Sequence, residues 1–400
     1  MSISTLTRID EICQTISETY RGKDKKVILI NTSDVLEGKI LNFEEVENKN
    51  LRGQFKKTFK KNDILFSEIR PANKRFAFVN IDDTHNFIAS TKLMVLRPNL
   101  KIVLPEFLYY ILSSDYLLSE MQHLAETRSG TFPQITFSSE LGPFEIELPD
   151  INCQRKIVSI LKNIDKKIEL NNEINDNLLN QIDSHFRALY IDFEQNNGLI
   201  PENFRYGILD ELSKEIICGK TPSTKNESYY GGDIPFITIP DMHDKVYVIK
   251  TERYLSEEGA NSQIKKILPK NSICVSCIET AGLVALVNES SHTNQQINSI
   301  IPKENVSPYY VYSLMKTLRD KIISLGQCGS TIVNLNKVQF SKLEVLIPTE
   351  QSMSEFDQRV KPMFEQINLL QLENEKLSSL RDSLLPKLMS GEINVDSIEL

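Results

Sequence analysis

Residues 153–192 constrain the fold more than any other part of the chain. The stretch contains no glycine and no proline, so neither of the two strong helix breakers interrupts it. Its apolar residues recur in alternating steps of four and three, the heptad pattern of a helix that packs lengthwise against another long helix. They are Ile157, Leu161, Ile164, Ile168, Leu178, Ile182 and Leu189. At about 1.5 Å per residue the helix is on the order of 60 Å long, so it needs a long partner.

A second heptad series lies 199 residues further along the chain. Its members are Phe356, Val360, Met363, Ile367, Leu370, Asn374, Leu377, Leu384 and Leu388, with Arg381 as an interruption. The polar position Asn175 of the first series corresponds to Asn374 of the second, and such polar residues fix the register of paired helices at a cost in stability. The shared phase and the shared polar break predict that the two helices are copies and partners. Pro362 marks either the first turn of the second helix or a kink.

The segments before the two helices also repeat. The string KKNDILFSEIRPANKRFAFV at residues 60–79 corresponds to LPKNSICVSCIETAGLVALV at residues 268–287. A polar linker with Gly198 and Pro201 separates the halves. We therefore predict an α+β tandem repeat in which two similar globules are each followed by a long helix. The predicted boundaries are 1–150 for the first globule, 151–193 for the central helix, 194–348 for the second globule and 349–400 for the C-terminal helix.

Within the first globule, Ile9, Ile12 and Ile16 predict an amphipathic opening helix. Residues 64–66 and 75–79 predict two strands joined by a turn at 67–74, and residues 105–124 predict a helix. Polar loops are expected at 127–131 and 327–331.

Composition excludes several classes of protein. With 40% hydrophobic and 25% charged residues the chain has the composition of a soluble globular protein. No apolar run approaches the roughly 20 residues of a membrane span, and the N-terminus does not have the pattern of a signal peptide. Six scattered cysteines predict reduced thiols and a cytoplasmic location. The net charge of −8 argues against indiscriminate nucleic-acid binding, although a local basic surface remains compatible with it.

The motifs of common enzymes and metal sites are missing from the sequence. Gly219-Lys220-Thr221 resembles the end of a phosphate-binding loop, but Lys214 occupies the position of the required first glycine. Cys274 and Cys277 form a lone pair, whereas structural zinc needs four ligands. We find no nucleophile motif, no dinucleotide fingerprint and no motif of an amino-methyltransferase. We therefore predict a protein that is not a catalyst and holds no metal.

A basic segment suggests contact with DNA. Residues 49–75 contain nine Lys or Arg against two acidic residues, although a solvated charged face would have the same composition. Arg70, Lys74 and Arg75 are expected to project from the turn, and Arg is the commonest reader of guanine in the major groove. The corresponding turn of the second globule has Ser276, Glu279 and Thr280, so the two globules would read different bases. Two readers on paired helices suit DNA half-sites about 34–36 Å apart.

Three strings resemble the specificity (S) subunits of type I restriction-modification systems. LRDSLLPKLMSGEI at 380–393 resembles their characteristic C-terminal region, GKTPS at 219–223 resembles the opening of their target-recognition domains, and LPDINCQRKIVSIL at 148–161 resembles the entry to their central helix. The resemblance covers the full length. The first globule departs from it, with YRGKD at 20–24 in place of a GKTPS-like opening.

The resemblance implies that each globule is a target-recognition domain for one half of a bipartite, asymmetric DNA sequence. The helices would form an antiparallel coiled coil that sets the unread spacer. Two methyltransferase (M) subunits would carry S-adenosylmethionine and flip an adenine out of double-stranded DNA for N6 methylation. Two motor–nuclease (R) subunits would carry ATP and magnesium, and this chain would bind no cofactor itself.

The candidate DNA-contacting residues are Lys56, Lys57, Lys60, Ser67, Arg70, Lys74, Arg75, Arg128, Ser129, Thr131, Lys220, Thr221, Ser223, Ser276, Thr280, Gln327, Ser330 and Thr331. The alternative is a coiled-coil adaptor whose globules bind protein without DNA specificity. That alternative explains the acidic charge and the helices, but it explains neither the basic turn nor the three strings.

Overall fold

The computed structural model describes residues 4–49, 53–128, 131–327 and 333–395. They fall into two compact units. The first runs to Lys166 and resumes at Leu377, and the second comprises Lys167–Lys376. Each unit contains one globule together with parts of both long helices.

The first globule contains strands β1 Thr5–Arg8, β2 Cys13–Ile16, β3 Lys26–Ile30, β4 Val35–Leu36, β5 Lys39–Ile40, β6 Glu45–Glu47, β7 Phe55–Lys57, β8 Ile64–Ser67, β9 Phe76–Phe78, β10 Phe87–Ser90, β11 Leu93–Pro98 and β12 Glu145–Leu148. Its helices are α1 Ile9–Ile12, α2 Pro105–Ser113 and α3 Asp115–Arg128, and the long helix α4 spans Ile151–Tyr190. The central antiparallel sheet has the order β2-β11-β8-β9, a second sheet has the order β6-β3-β10-β7, and β1 pairs with β12.

Alternate residues of the central strands enter two different cores, because successive side chains of a strand point to opposite faces. Ile64 and Phe66 belong to a core that packs the sheet against helices, whereas Leu65 belongs to a core shared with the second sheet. Strand β8 is therefore buried on both faces. This layering leaves the ends of the strands, and the loops that follow them, as the accessible part of the sheet.

The second globule contains strands β13 Arg205–Ile208, β14 Ser213–Cys218, β15 Tyr230–Ile237, β16 Tyr247–Val248, β17 Arg253–Leu255, β18 Ile273–Ser276, β19 Val284–Val287, β20 His292–Thr293, β21 Ile297–Pro302 and β22 Glu344–Ile347. Its helices are α5 Ile239–Met242, α6 Glu257–Asn261, α7 Pro308–Thr317, α8 Arg319–Gly326 and α9 Lys337–Ser341, followed by the long helix α10 Glu350–Met389. The order β14-β21-β18-β19 repeats the order β2-β11-β8-β9 of the first globule, with β16 added at the edge. The tandem α+β repeat is thus present in the topology of the strands.

Two local predictions in the first globule are wrong. The opening segment forms β1, a single helical turn and β2 instead of an amphipathic helix, since Thr5–Arg8 pair with β12 and Cys13–Ile16 pair with β11. The helix predicted at 105–124 is two helices that are separated at Ser114. The backbone there is extended, and the Ser114 hydroxyl accepts a hydrogen bond from the N–H of Leu117 at 3.3 Å.

Both long helices contain 40 residues, and within each unit they pair antiparallel. In the second unit Asn171 Nδ2 donates to Asn374 Oδ1 at 2.8 Å, and the Tyr190 hydroxyl donates to the carbonyl of Ser352 at 2.9 Å. In the first unit Arg381 Nη1 donates to Asp165 Oδ1 at 2.8 Å. Residues late in one helix thus meet residues early in the other. Pro362 lies inside the second helix and not in its first turn.

The predicted heptad positions are buried or half-buried along both helices. Ile157, Leu161, Ile182, Phe356, Val360, Ile367 and Leu370 are buried, and Ile164, Ile168, Asn175, Leu178, Met363, Asn374, Leu377 and Leu384 are half-buried. The heptad pattern missed Phe186, Tyr190 and Phe364, which are also buried. These rings pack against the globule as well as against the partner helix. The Phe186 and Tyr190 rings lie 5.6 and 5.0 Å from the ring of Tyr310 in α7.

We expect Asn171→Asp to destabilise the second unit. Asn171 is fully buried and its amide Nδ2 lies 2.8 Å from Glu373 Oε2, so the substitution would place two carboxylates in contact. Because Glu373 is partly exposed, we expect a loss of about 2 kcal/mol, a fall in Tm on the order of 5 °C. Calorimetry should show recovery in Asn171→Asp/Glu373→Gln. The exposed neighbour control Asn172→Asp should stay near wild type, since among the described residues Asn172 only accepts a hydrogen bond from Asn374. Equal losses in the two single variants would contradict this account.

Candidate nucleic-acid interface

Three loops of the first globule are joined at one end of its central sheet. They are the turn after β8, the residues before β11 and the segment after α3. The N–H of Glu68 donates to the carbonyl of Lys92 at 3.0 Å, and the N–H of Ile135 donates to the carbonyl of Glu68 at 2.8 Å. The N–H of Arg70 donates to the carbonyl of Pro133 at 3.1 Å. Backbone bonds therefore fix the three loops relative to one another, and we call this region the loop end.

The second globule has a loop end with the same backbone bonds. The N–H of Cys277 donates to the carbonyl of Gln296 at 2.9 Å, and the N–H of Leu335 donates to the carbonyl of Cys277 at 3.0 Å. The N–H of Glu279 donates to the carbonyl of Val333 at 3.2 Å. Glu279 and Arg70 also share a left-handed backbone, with φ of 59° and 45°. The two loop ends are therefore equivalent position by position.

A fourth loop, residues 219–223, joins the loop end of the second globule. The N–H of Lys220 donates to the carbonyl of Thr293 at 2.9 Å, and Thr221 Oγ1 donates to Gln295 Oε1 at 2.7 Å. A Cβ atom on Gly219 would lie 2.2 Å from the carbonyl oxygen of Asn294, so only glycine permits this approach. The glycine of the GKTPS string thus has a packing reason. Lys220 and Ser223 are exposed and Thr221 is half-buried.

The turn predicted to carry three base-reading cations leaves one of them free. Arg75 Nη1 donates to the carbonyl of Ser33 at 3.0 Å, and Lys74 Nζ lies 2.8 Å from Asp115 Oδ1. Ser67 is buried, and its hydroxyl accepts from the N–H of Ile69 at 3.1 Å. Arg70 is exposed, and its guanidinium has no hydrogen bond or ion pair with any residue that the structure describes. Arg70 is therefore the cation of this turn that is available to a ligand.

The basic segment at 49–75 does not present all its cations to solvent. Lys57 Nζ donates to the carbonyls of Thr91 and Leu93 at 3.0 and 2.8 Å, and burial lowers the pKa of this ammonium. Lys61 is paired with Asp82 at 2.5 Å. Lys57 thus stabilises the loop before β11 by hydrogen bonds, whereas Lys56 and Lys60 are exposed.

The remaining candidates differ in accessibility. Ser276 is buried and its hydroxyl donates to the carbonyl of Thr280 at 2.6 Å. Arg128 is paired with Glu140 at 3.1 Å but is exposed. Thr131, Thr280 and Gln327 are exposed. Ser129, Ser330 and Thr331 lie outside the described residues.

Sequence reasoning missed four polar residues of the loop ends: Lys92 and Gln134 in the first globule, and Gln296 and Asn334 in the second. Lys92 Nζ lies 3.5 Å from Gln134 Oε1 and 3.6 Å from Glu68 Oε2. Gln296 Oε1 accepts from Asn294 Nδ2 at 3.0 Å. A signal was present, since Lys92 and Gln296 directly precede the corresponding strands LMVLRP and INSIIP.

The described residues include no cluster of three side chains that could hold a metal ion. Cys274 and Cys277 are buried, and burial raises the pKa of each thiol to about 12, so both stay protonated and unreactive at neutral pH. Among the described residues, every helix lacks either the length or the apolar composition that a membrane-spanning helix needs.

Two globules with the same strand order and equivalent loop ends define a tandem-repeat protein. A family model described as type I restriction modification DNA specificity domain matches the chain twice, at residues 5–180 and 201–380. The chain therefore belongs to the family of type I restriction-modification DNA specificity subunits.

The chain is 40% identical to the specificity subunit of type I restriction enzyme HindI from Haemophilus influenzae, over 92% of this chain and 94% of that one. It is 31% identical to the MjaIX specificity subunit of Methanocaldococcus jannaschii, over 39% of this chain and 37% of that one. A crystal structure of a type I restriction-modification S subunit from M. genitalium shares the fold. The TM-score is 0.51 and the identity 17%, over 97% of this chain and 96% of that one.

Proposed function

We propose that each globule reads one half of a bipartite, asymmetric DNA sequence through its loop end. The observation that carries this proposal is that the two loop ends share their backbone hydrogen bonds but differ in their side chains. A rigid frame with variable side chains is what reading base edges requires, because phosphate contacts position a protein while base contacts specify the sequence. We take the exposed or half-buried candidates as the interface and leave out Lys57, Ser67 and Ser276, whose polar atoms are used internally.

The long helices would set the number of unread base pairs between the half-sites. Each helix has 40 residues without a break, so it is on the order of 60 Å long. Buried polar positions such as Asn171 hold the register of the pair, as a fixed spacer requires.

Two M subunits would dock on the helices and methylate adenine N6 with S-adenosylmethionine, and two R subunits would add restriction with ATP and magnesium. Leu170 and Ile174 support a docking surface, since they lie four residues apart on one helix face and both are 45% exposed. The net charge of −8 fits such an assembly, because the partners would supply part of the phosphate neutralisation.

Arg70→Ala in the complex with the M subunits tests DNA reading by the loop end. We expect about 10-fold or greater loss of affinity for a duplex with the cognate site, no loss on duplexes altered in the first half-site, and an unchanged salt dependence. The measurement is a binding titration at several salt concentrations, with the exposed Lys101→Ala as control.

An equal loss on all duplexes together with a shallower salt dependence would make Arg70 a phosphate contact. A wild-type complex without sequence preference at any salt concentration would overturn the proposed function and favour the adaptor.

A further inference from the structure

The loop ends carry different side chains at one equivalent backbone position. Lys92 and Gln296 occupy it, because their carbonyls accept the matching bonds from Glu68 and Cys277. The backbone N–H of each residue also donates to a side-chain oxygen two residues earlier in the chain. Lys92 N–H donates to Ser90 Oγ at 3.3 Å, and Gln296 N–H donates to Asn294 Oδ1 at 3.1 Å. The two side chains are therefore presented from the same place on the same frame.

The Lys92 ammonium has partners within the protein but keeps a donor for a ligand. Its side chain is 48% exposed, and Nζ lies near one oxygen of Glu68 and one of Gln134. An ammonium has three N–H donors and no acceptor, so at least one donor remains for a ligand. In the major groove a donor-only group suits guanine, whose O6 and N7 both accept. It cannot pair with the N6 amino group of adenine.

The Gln296 amide offers both kinds of group. Its oxygen accepts one hydrogen bond from Asn294, and this bond fixes the orientation of the amide. The oxygen keeps a second lone pair for a ligand. Its Nε2 has no partner among the described residues, and the side chain is partly exposed. An acceptor beside two donors matches adenine, which presents the N6 donor and the N7 acceptor side by side.

We propose that Lys92 and Gln296 are matched specificity-determining residues. Lys92 reads the guanine of a G·C pair in the half-site of the first globule, and Gln296 reads the adenine of an A·T pair in the half-site of the second. The inference rests on the proposed function. It explains how two loop ends with the same backbone recognise an asymmetric site. Because a methylated base is flipped out of the stack, the pair that Gln296 reads is a different one.

The test exchanges the two side chains singly, as Lys92→Gln and Gln296→Lys, in the complex with the M subunits. The substrate is a pool of duplexes randomised in both half-sites, and the readout is the sequence logo of methylated molecules. Lys92→Gln should reduce discrimination at one G·C position of the first half-site by about 10-fold and leave the second half-site unchanged. Gln296→Lys should do the same at one A·T position of the second half-site.

The control is Lys101→Gln, an exposed lysine that follows the opposite end of β11, which should leave the logo unchanged. Both test variants should melt within about 2 °C of wild type, since surface substitutions cost little. The inference is overturned if either variant leaves the logo unchanged, affects a pair of the other type, or lowers methylation of every sequence equally. Exchange of residues 201–348 tests the proposed function separately, so the two failures are distinguishable.

Discussion

Replacing residues 201–348 with those of a relative of different specificity is expected to change one half of the methylated sequence and leave the other half unaltered. The physical reason is that every loop of the second loop end, from Gly219 to Asn334, lies inside the exchanged segment. The loops of the first globule lie outside it. Methylation at the original site should fall below detection, because several lost base contacts, each about 1–3 kcal/mol, act together. The measurement is genome-wide mapping of methyladenine.

The exchanged segment must preserve the core around the helices for this experiment to be informative. The Tyr310 ring in the exchanged segment packs on Phe186 and Tyr190, and its hydroxyl donates to the carbonyl of Leu346 at 2.7 Å. The relative that supplies the exchanged segment should therefore have tyrosine at the position of Tyr310. A matched chimera with leucine there serves as a stability control. A change in both halves of the methylated sequence would disprove independent reading by the two globules.

Inserting one heptad into each long helix is expected to lengthen the unread spacer by about 3 base pairs. Seven residues add about 10 Å to a helix, and DNA rises about 3.4 Å per base pair. The insertions belong between Lys166 and Lys167 and between Lys376 and Leu377, where the two compact units divide, so that neither unit is interrupted. Repeating residues 160–166 and 370–376 keeps the heptad phase. Methylation of sites with the original spacer should be lost, and the new spacer can be read from the methylome.

Two controls separate spacer length from general damage. Inserting seven residues in the linker after Gly198 should leave the spacer unchanged, because the helices keep their length. Inserting a heptad into only one helix should destabilise the protein, because the buried polar register at Asn171 is lost. An unchanged spacer in the double insertion would show that the helices do not set it.

The sequence contained enough information for the repeat, the long helices and the family, because periodicity and duplication survive in a linear pattern. The heptad series predicted the pairing of the helices, and the topology of β2-β11-β8-β9 and β14-β21-β18-β19 confirms the duplication. The family model matches both halves. Local periodicity failed at Ile9, Ile12 and Ile16, since the spacing of three isoleucines cannot reveal that the flanking residues find strand partners about 80–140 residues away.

The side chains of the loop ends could not be assigned from composition. Lysines look alike in a sequence, but Lys57 binds two backbone carbonyls while Lys92 is held near two side-chain oxygens at the surface. Such differences depend on tertiary contacts over tens of residues. The basic segment at 49–75 therefore indicated a surface without telling which of its cations are available.

The first compact unit is assembled from two segments of the chain that the whole second unit separates, and this reverses the order in which the two units can be completed. Leu385 and Leu388 are buried in the same core as Ile157 and Leu161. That core cannot close until Leu388 has left the ribosome, whereas the second unit has all its residues as soon as Lys376 has emerged. A nascent chain can therefore complete its second unit before its first, and a variant with a stop codon at position 377 would have one finished and one open core.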